Sequence, residues 1–496
     1  MRFPQIVLTC VGTCLLALLG VLVALPSAGA QEFAAKMRVG LSRFASASEL
    51  TLRAEPGARL LDGEGRECAA GGGPFVLTRV GNIVTARDSR GRSLGEAASG
   101  TSWRLQSDEA ATVLTIMTPK GAAHRYRGEL EVSGSGGRLH VVNEVGLEDY
   151  VRGVIGPEMG SRAPLEALKA QAVASRTFAL SSLGRWTSDG YDLRDSTDSQ
   201  VYSGVEAERP ECDRAVRETS GLILTVGGHA ITAFFCADCG GVTAPGDTPD
   251  ECPHSVSDLD AHGPTDRPLP PTWTVTLTPE KLAGLFARTA PAGMTLAQIA
   301  VAETDLSGRA RRLRLTWVPA HSAHKPGKSG EGPSDLPDLV GPPPESELPS
   351  ESRKSEKAGK QSRSESRKPD ETAKQSKEER LPPGAIMREI PANTLRTALG
   401  ADLLRSTLFT IHRTAEGACV LEGRGWGHGR GLCQIGAMAL ALPPHSFDFR
   451  AILHRYYGGS MLAPLGTTEE NEEGTSAPAP AAPHASPAPT RRPRTR

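Results

Sequence analysis

Three stretches of this sequence hold side chains whose type and setting could do chemistry. The first runs Leu147-Glu148-Asp149-Tyr150-Val151-Arg152-Gly153-Val154-Ile155-Gly156-Pro157-Glu158-Met159. Its apolar segment ends at Gly156-Pro157, and one carboxylate, Glu158, follows before Ser161 to Pro164 lead onward. The pattern predicts that Glu158 stands in a connection, and connections on a rigid scaffold often carry function. By position alone the plainer reading is the stronger one: a surface glutamate beside a helix start, favoured by the macrodipole. The second stretch carries Lys169, Gln171, Arg176 and Thr177. Lys169 and Arg176 are seven apart, so on a helix they share a side. Arg176 falls in an apolar stripe, four after Ala172 and three before Ala179. An arginine there could hold a carboxylate, a phosphate or a sugar acetamide oxygen, or an internal partner. For Lys169 a solvated side chain is the plainer reading. The third stretch is Gly423-Arg424-Gly425-Trp426-Gly427-His428-Gly429-Arg430-Gly431-Leu432-Cys433-Gln434-Ile435-Gly436. Glycine at alternate positions makes a poor helix or strand core but permits close backbone approach to a ligand. Trp426 or His428, exposed by such a loop, suits packing against a sugar ring. The strand–GxxxxGK[ST]–helix pattern is absent, so no phosphate-binding P-loop is read here.

The elements that must position these residues are of two kinds. Between Met37 and about Val142, short apolar runs such as Phe75-Val76-Leu77-Thr78, Thr112-Val113-Leu114-Thr115-Ile116 and Leu139-His140-Val141-Val142 are broken by Gly, Asp and Ser, which predicts strands in hairpins. Leu165, Leu168, Ala172, Ala179 and Leu183 then recur at helical spacing. Pro164 suits a first helical position and Glu166 the first turn, so a helix is expected from Pro164 to about Leu183. Residues 221–235 read as strand, Gly227-Gly228 turn and strand. The fold class expected is α+β, with several antiparallel strands and few helices.

Other segments bound the problem. After Arg2, an apolar run from Ile6 to Leu25 leads to Pro26-Ser27-Ala28-Gly29-Ala30, which has the form of a secretory signal cut after Ala30. The run approaches the ~20 residues that span a bilayer, so an uncleaved N-terminal anchor is the alternative. Either way the chain is expected to be exported to the envelope or beyond. Residues 319–383 are rich in Pro, Ser, Lys and Glu and too poor in apolar side chains to offset chain entropy, which predicts disorder, either as a linker or as a loop within one domain. The tail from Thr467 reads the same way, and its basic end, Arg491 to Arg496, as a solvated tail. Net charge is −1 and aromatic content 4 %, which gives no support for nucleic acid as a partner. Of nine cysteines, Cys10 and Cys14 fall in the leader, leaving Cys68, Cys212, Cys236, Cys239, Cys252, Cys419 and Cys433. Export permits disulfides, and an odd number leaves at least one thiol for another fate.

Taken together, these segments resemble the SpoIID/LytB family of sporulation and cell-wall proteins. Tyr150 to Met159 and Glu166 to Thr177 carry the resemblance best. Gln200-Val201-Tyr202-Ser203-Gly204, Gly240-Gly241-Val242-Thr243, Gly425-Trp426-Gly427-His428-Gly429 and Tyr456-Tyr457-Gly458-Gly459 follow in the family's order. Each piece is weak and the ordered set specific. The resemblance implies one SpoIID-like domain over 125–318, resumed over 384–462 after the 319–383 insertion. A β-rich subdomain would precede it over 37–124, the leader would occupy 1–30 and the tail 467–496. It implies a lytic transglycosylase acting on peptidoglycan glycan strands, with Glu158 as the single acid–base residue and no required cofactor. Lys169, Arg176, Gln200, Tyr202, Trp426, His428 and Gln434 would then be substrate-facing. The LytB branch implies the alternative, a non-catalytic wall-binding protein that stimulates an amidase, with other cell-wall hydrolases as partners. Hydrolysis with two carboxylates would need a second acid, for which Asp195 and Asp198 are the nearby acids in sequence.

The sequence also departs from the family. Where some relatives carry a His-Cys pair that looks zinc-binding, Asp198 and Ser199 stand here, so that site is not carried over. Cys236 and Cys239 stand where relatives tend to have His and Ser, and Cys433 where they often have Ser. Cys236, Cys239, Cys252 and His254, at CxxC…CxH spacing, could hold a structural zinc ion. A disulfide such as Cys239–Cys252 is an equal rival, and Cys419 and Cys433, flanking the Gly-rich loop, are a second pair to consider.

Overall fold

The computed structural model describes residues 36–54, 57–109, 111–160, 162–246, 272–320 and 383–466. The leader expected over 1–30, nearly all of the 319–383 insertion, the tail from 467, and Cys252 and His254 lie outside the described residues. Among the described residues no helix is long and apolar enough to cross a membrane. The fold is α+β, with mostly antiparallel sheets. Its α-helices are α1 (Leu147–Met159), α2 (Leu165–Ser181), α3 (Pro210–Glu218), α4 (Pro279–Leu285), α5 (Ala392–Leu399), α6 (Gln434–Leu440) and α7 (Phe449–Tyr456).

The N-terminal hairpins build two sheets. One is seven-stranded, in the order Leu193–Arg194, Lys36–Gly40, Arg138–Gly146, Glu129–Ser135, Ser102–Ser107, Ala58–Leu61 and Glu67–Ala70. The other is six-stranded and runs from Ala123–Tyr126 to Ser93–Ala97. Alternation along each strand sends one face inward, as with Trp103 and Leu105, or Phe75 and Leu77. Trp103, fully buried, donates from Nε1 to the carbonyl of Val84 at 2.8 Å and so ties one sheet to the other. The strands Glu129–Ser135 and Arg138–Gly146 continue the first of these sheets, and Trp103, Tyr126, Tyr150, Val154 and Leu168 share one core.

The helix expected from Pro164 forms over Leu165–Ser181, with Pro164 just before it. It is buried on every side from Ala170 to Ala179, not along one stripe. Leu168, Ala172, Phe178 and Ala179 face the N-terminal core, while Ala167, Ala170, Val173 and Ala174 face a second core with Ile452, Leu453 and Tyr456. Alanines let both cores approach the helix closely. The strand–turn–strand expected over 221–235 forms as Leu222–Val226 and His229–Ala230. A third core lies between two three-stranded sheets from residues 272–320 and 383–424, around Leu313, Trp317 and Leu421. Ala310–Pro319 pairs antiparallel with Ile386–Pro391, Trp317 opposite Ile386. The low-complexity segment therefore leaves and re-enters one sheet at adjacent strands, as a loop within a unit and not a linker between units.

Burial decides the role of Arg176. Its side chain has no exposed surface, and its guanidinium grips Glu148 bidentately at 2.8 and 2.7 Å and donates to the carbonyl of Leu222 at 3.0 Å. The expectation that it faces substrate is corrected: its carboxylate partner is internal. Removing Glu148 would leave a buried, unpaired guanidinium, which costs about 3–5 kcal/mol. Glu148→Ala is expected to lower the unfolding free energy by about that amount in urea denaturation, and a loss under about 1 kcal/mol would contradict this role for the pair.

Candidate functional site

Glu158 lies in the last turn of α1, not in a connection. The helix continues through Pro157 because the proline's missing donor is replaced from outside. Pro157 cannot bond the carbonyl of Gly153, and the amide of Ser203 does so instead at 3.0 Å. A Cβ on Gly153 would strike the ring of Tyr202, so only glycine lets the 200–204 segment lie this close. The docked segment then offers the amide of Val201, which donates to Glu158 Oε1 at 2.7 Å. The side chain of Gln434, the first residue of α6, donates to the same carboxyl group. Gln434 also donates to Gln171 Oε1 at 3.4 Å, and Gln171 donates to Ser175 Oγ at 3.0 Å, fixing the amide from α2.

Burial pushes the Glu158 carboxyl above the ordinary glutamate range, against the opposing pull of the Val201 amide and Gln434. Position at the C-terminal end of α1 adds to this, since the helix dipole there disfavours an anion. Glu158 is half-buried and keeps contact with solvent. A carboxyl so placed keeps its proton to higher pH than an ordinary glutamate and can give it up to a bound group.

The other expected site residues divide. Gln434 and Glu158 meet. Gln200 is buried beside them, its Oε1 accepting from Tyr150 at 3.0 Å and its Nε2 without a protein partner among the described residues. Tyr202 is a core residue, stacked on Tyr150 with ring centroids 5.2 Å apart and donating to Asn143 at 2.7 Å. Lys169 is held by Glu166 at 2.8 Å and Glu218 at 2.7 Å. Substrate contact is therefore corrected to a core role for Tyr202, while half-buried Lys169 pairs with carboxylates of the fold. Asp195 is also engaged, accepting from Ser42 Oγ at 2.6 Å and pairing with Arg43, while Asp198 pairs with Arg194 at 3.1 Å.

The Gly-rich loop packs its glycines closely against the chain's own backbone. A Cβ on Gly425, whose φ is +77°, would meet the carbonyl of Asp238 at 2.8 Å and the amide of Gly240 at 2.9 Å. Within that loop Trp426 is 44 % exposed, with the Arg405 guanidinium 4.9 Å from its ring centroid. His428 is exposed, yet Nδ1 accepts from the amide of Arg430 at 3.0 Å, the ring packs edge-on to Phe234, and a further hydrogen bond joins it to the main chain of Phe235. Desolvation first, then the Arg430, Arg309 and Arg396 charges, push its pKa down to about 4, so the ring is neutral. It serves as a clip between loop and strand. Main-chain donors such as Val201 leave no trace in residue type, and Gln171 stood out only as a polar residue on an apolar helix.

Residues 135–226, which hold Glu158, Gln171 and Val201, match the family model described as SpoIID, stage II sporulation protein. Over this segment the chain is similar to the SpoIID/LytB family. It is 28 % identical over 335 residues to an uncharacterized protein of Brachyspira hyodysenteriae, covering 67 % of this chain and 71 % of that protein. It is 28 % identical over 315 residues to the amidase enhancer of Bacillus subtilis, covering 63 % and 40 % of the two chains. With stage II sporulation protein D of Bacillus subtilis it shares 33 % identity over 117 residues, 21 % and 34 % of the two. The match thus spans less than half the length of the amidase enhancer and about a third of the sporulation protein. Within the SpoIID segment lie α1, α2 and the docked 200–204 segment; Gln434 reaches Glu158 from outside it.

A carboxyl whose pKa is raised on folding favours the native state below the ordinary glutamate pKa of about 4.3, and that contribution is lost as pH rises through the folded value. Glu158→Gln, which imitates the neutral acid, is expected to leave the melting temperature unchanged near pH 4 and to raise it by about 2 °C or more at pH 7.5. An identical difference at both pH values would contradict the raised pKa.

Proposed function

We propose that the protein is an exported cell-wall enzyme, a lytic transglycosylase that cleaves peptidoglycan glycan strands with Glu158 as its only acid–base group. The observation that carries this reading is a half-buried carboxyl whose pKa is raised by burial and whose hydrogen-bond partners, Val201 and Gln434, are neutral. The acids nearest in sequence among those considered, Asp195 and Asp198, are engaged by Arg43 and Arg194. Hydrolysis through two carboxylates therefore has less support than a reaction needing one. Protonated Glu158 gives its proton to the glycosidic oxygen as the C1–O bond breaks. The resulting carboxylate takes the proton of a hydroxyl on the same muramic sugar as that oxygen bonds to C1. The product is an anhydro end, no water is consumed, and Glu158 is protonated again. Exposed Trp426 supplies a ring face suited to a sugar.

The second reading is a non-catalytic wall-binding protein that stimulates an amidase. It is favoured by the relative named amidase enhancer, which matches 63 % of this chain. Purified glycan strands separate the two. The wild type is expected to release anhydro-muramic products, and Glu158→Gln to lower the rate by about 100-fold or more, as loss of a general acid does. Equal release by the variant would remove Glu158 from its role, and no release by the wild type, with and without stem peptides, would favour the enhancer.

A further inference from the structure

Among the described residues, one group of metal-ligating side chains stands together and does not include Glu158. One carboxylate oxygen of Asp238, Cys239 Sγ and Cys433 Sγ all lie within 4.8 Å of one another. The residues are 3 %, 0 % and 0 % exposed. They come from segments 194 residues apart, the turn after the strand Phe235–Cys236 and the end of the strand Leu432–Cys433, which pair in parallel. Sulfur-ligand and oxygen-ligand bonds of about 2.0–2.3 Å to a central zinc ion fit such a spacing.

The surroundings suit a metal thiolate. Cys433 Sγ accepts from two main-chain amides, Cys239 at 3.3 Å and Gly436 at 3.4 Å. Asp238 Oδ1 accepts from the amide of Gly240 at 2.7 Å. Such hydrogen bonds orient first ligands and stabilise their charged form. Three deprotonated ligands carry three negative charges. A divalent cation leaves one, and the buried guanidinium of Arg309, which donates to the carbonyls of Cys239 and Val242, balances it.

We propose that Asp238, Cys239 and Cys433 bind one zinc-class divalent cation, which clamps the 236–241 turn to the strand that delivers Gln434. The set differs from the one read from spacing. It takes Cys239 from that group and adds Cys433 and Asp238 from the fold, and a tetrahedral ion would complete its shell with water. The role is structural and independent of whether Glu158 is catalytic.

Metal analysis and cobalt titration of the full-length chain, prepared with its thiols reduced, test the site. One zinc per chain is expected, as is a Co²⁺ complex with sulfur-to-cobalt charge-transfer absorption and intense tetrahedral bands. Cys239→Ser and Asp238→Asn should each weaken Co²⁺ binding by about tenfold or more, while Cys68→Ser, at a half-buried thiol on a distant strand, should bind as wild type. Should the core variants fail to fold, the wild type alone decides: Zn²⁺ should raise the melting temperature of metal-free protein. The proposal is overturned if reduced wild type holds neither metal at stoichiometric level. It is equally overturned if protein matured with zinc present yields a Cys239–Cys433 cross-linked peptide.

Discussion

Pro157 has no N–H, and that single missing donor organises the site. The carbonyl of Gly153 is left over inside α1, and the amide of Ser203 takes it. Once that bond fixes the 200–204 segment against the helix, the Val201 amide comes within 2.7 Å of Glu158. A proline in a helix interior usually costs ~3 kcal/mol or more. Here the cost is offset by docking a second segment, and the side chain one position after the proline is the one held.

Around this contact the helices work as a frame. α2 carries no free face: it separates two cores, and it anchors α1 through the Arg176–Glu148 pair and α6 through Gln171 and Gln434. The polar groups on α2 therefore serve packing and position. The charges that looked ready for a ligand, Lys169 and Arg176, neutralise carboxylates of the same fold. The Gly-rich loop likewise spends its glycines on the chain's own 236–240 turn, leaving Trp426 as its exposed aromatic. Cys419 belongs to the third core and Cys433 to the second, so the pairing considered from their positions beside the loop does not arise.

Much of this was legible in residue order. Hairpin strands, the extent of α2 and the turn at Gly227-Gly228 followed from period and turn chemistry, because those signals are local. Glu158 was legible only through the ordered motifs, and its setting was misread: Gly156-Pro157 looks like the end of an element, since nothing local shows that Ser203 replaces the lost bond. Arg176 was misread for a related reason. Its partner is 28 positions away, and a buried ion pair looks the same in sequence as a ligand-binding arginine. Tertiary partners, not propensity, decided each of these cases.

The fold holds Glu158 as a carboxyl reluctant to ionise, between the Val201 amide and Gln434. A carbon-13 NMR titration of the Glu158 side-chain carboxyl, assigned by its loss in Glu158→Gln, measures this directly. A midpoint clearly above the ordinary glutamate value of about 4.3 is expected, falling when the buried setting is opened by denaturant. A midpoint at or below that value in the native protein would contradict the claim.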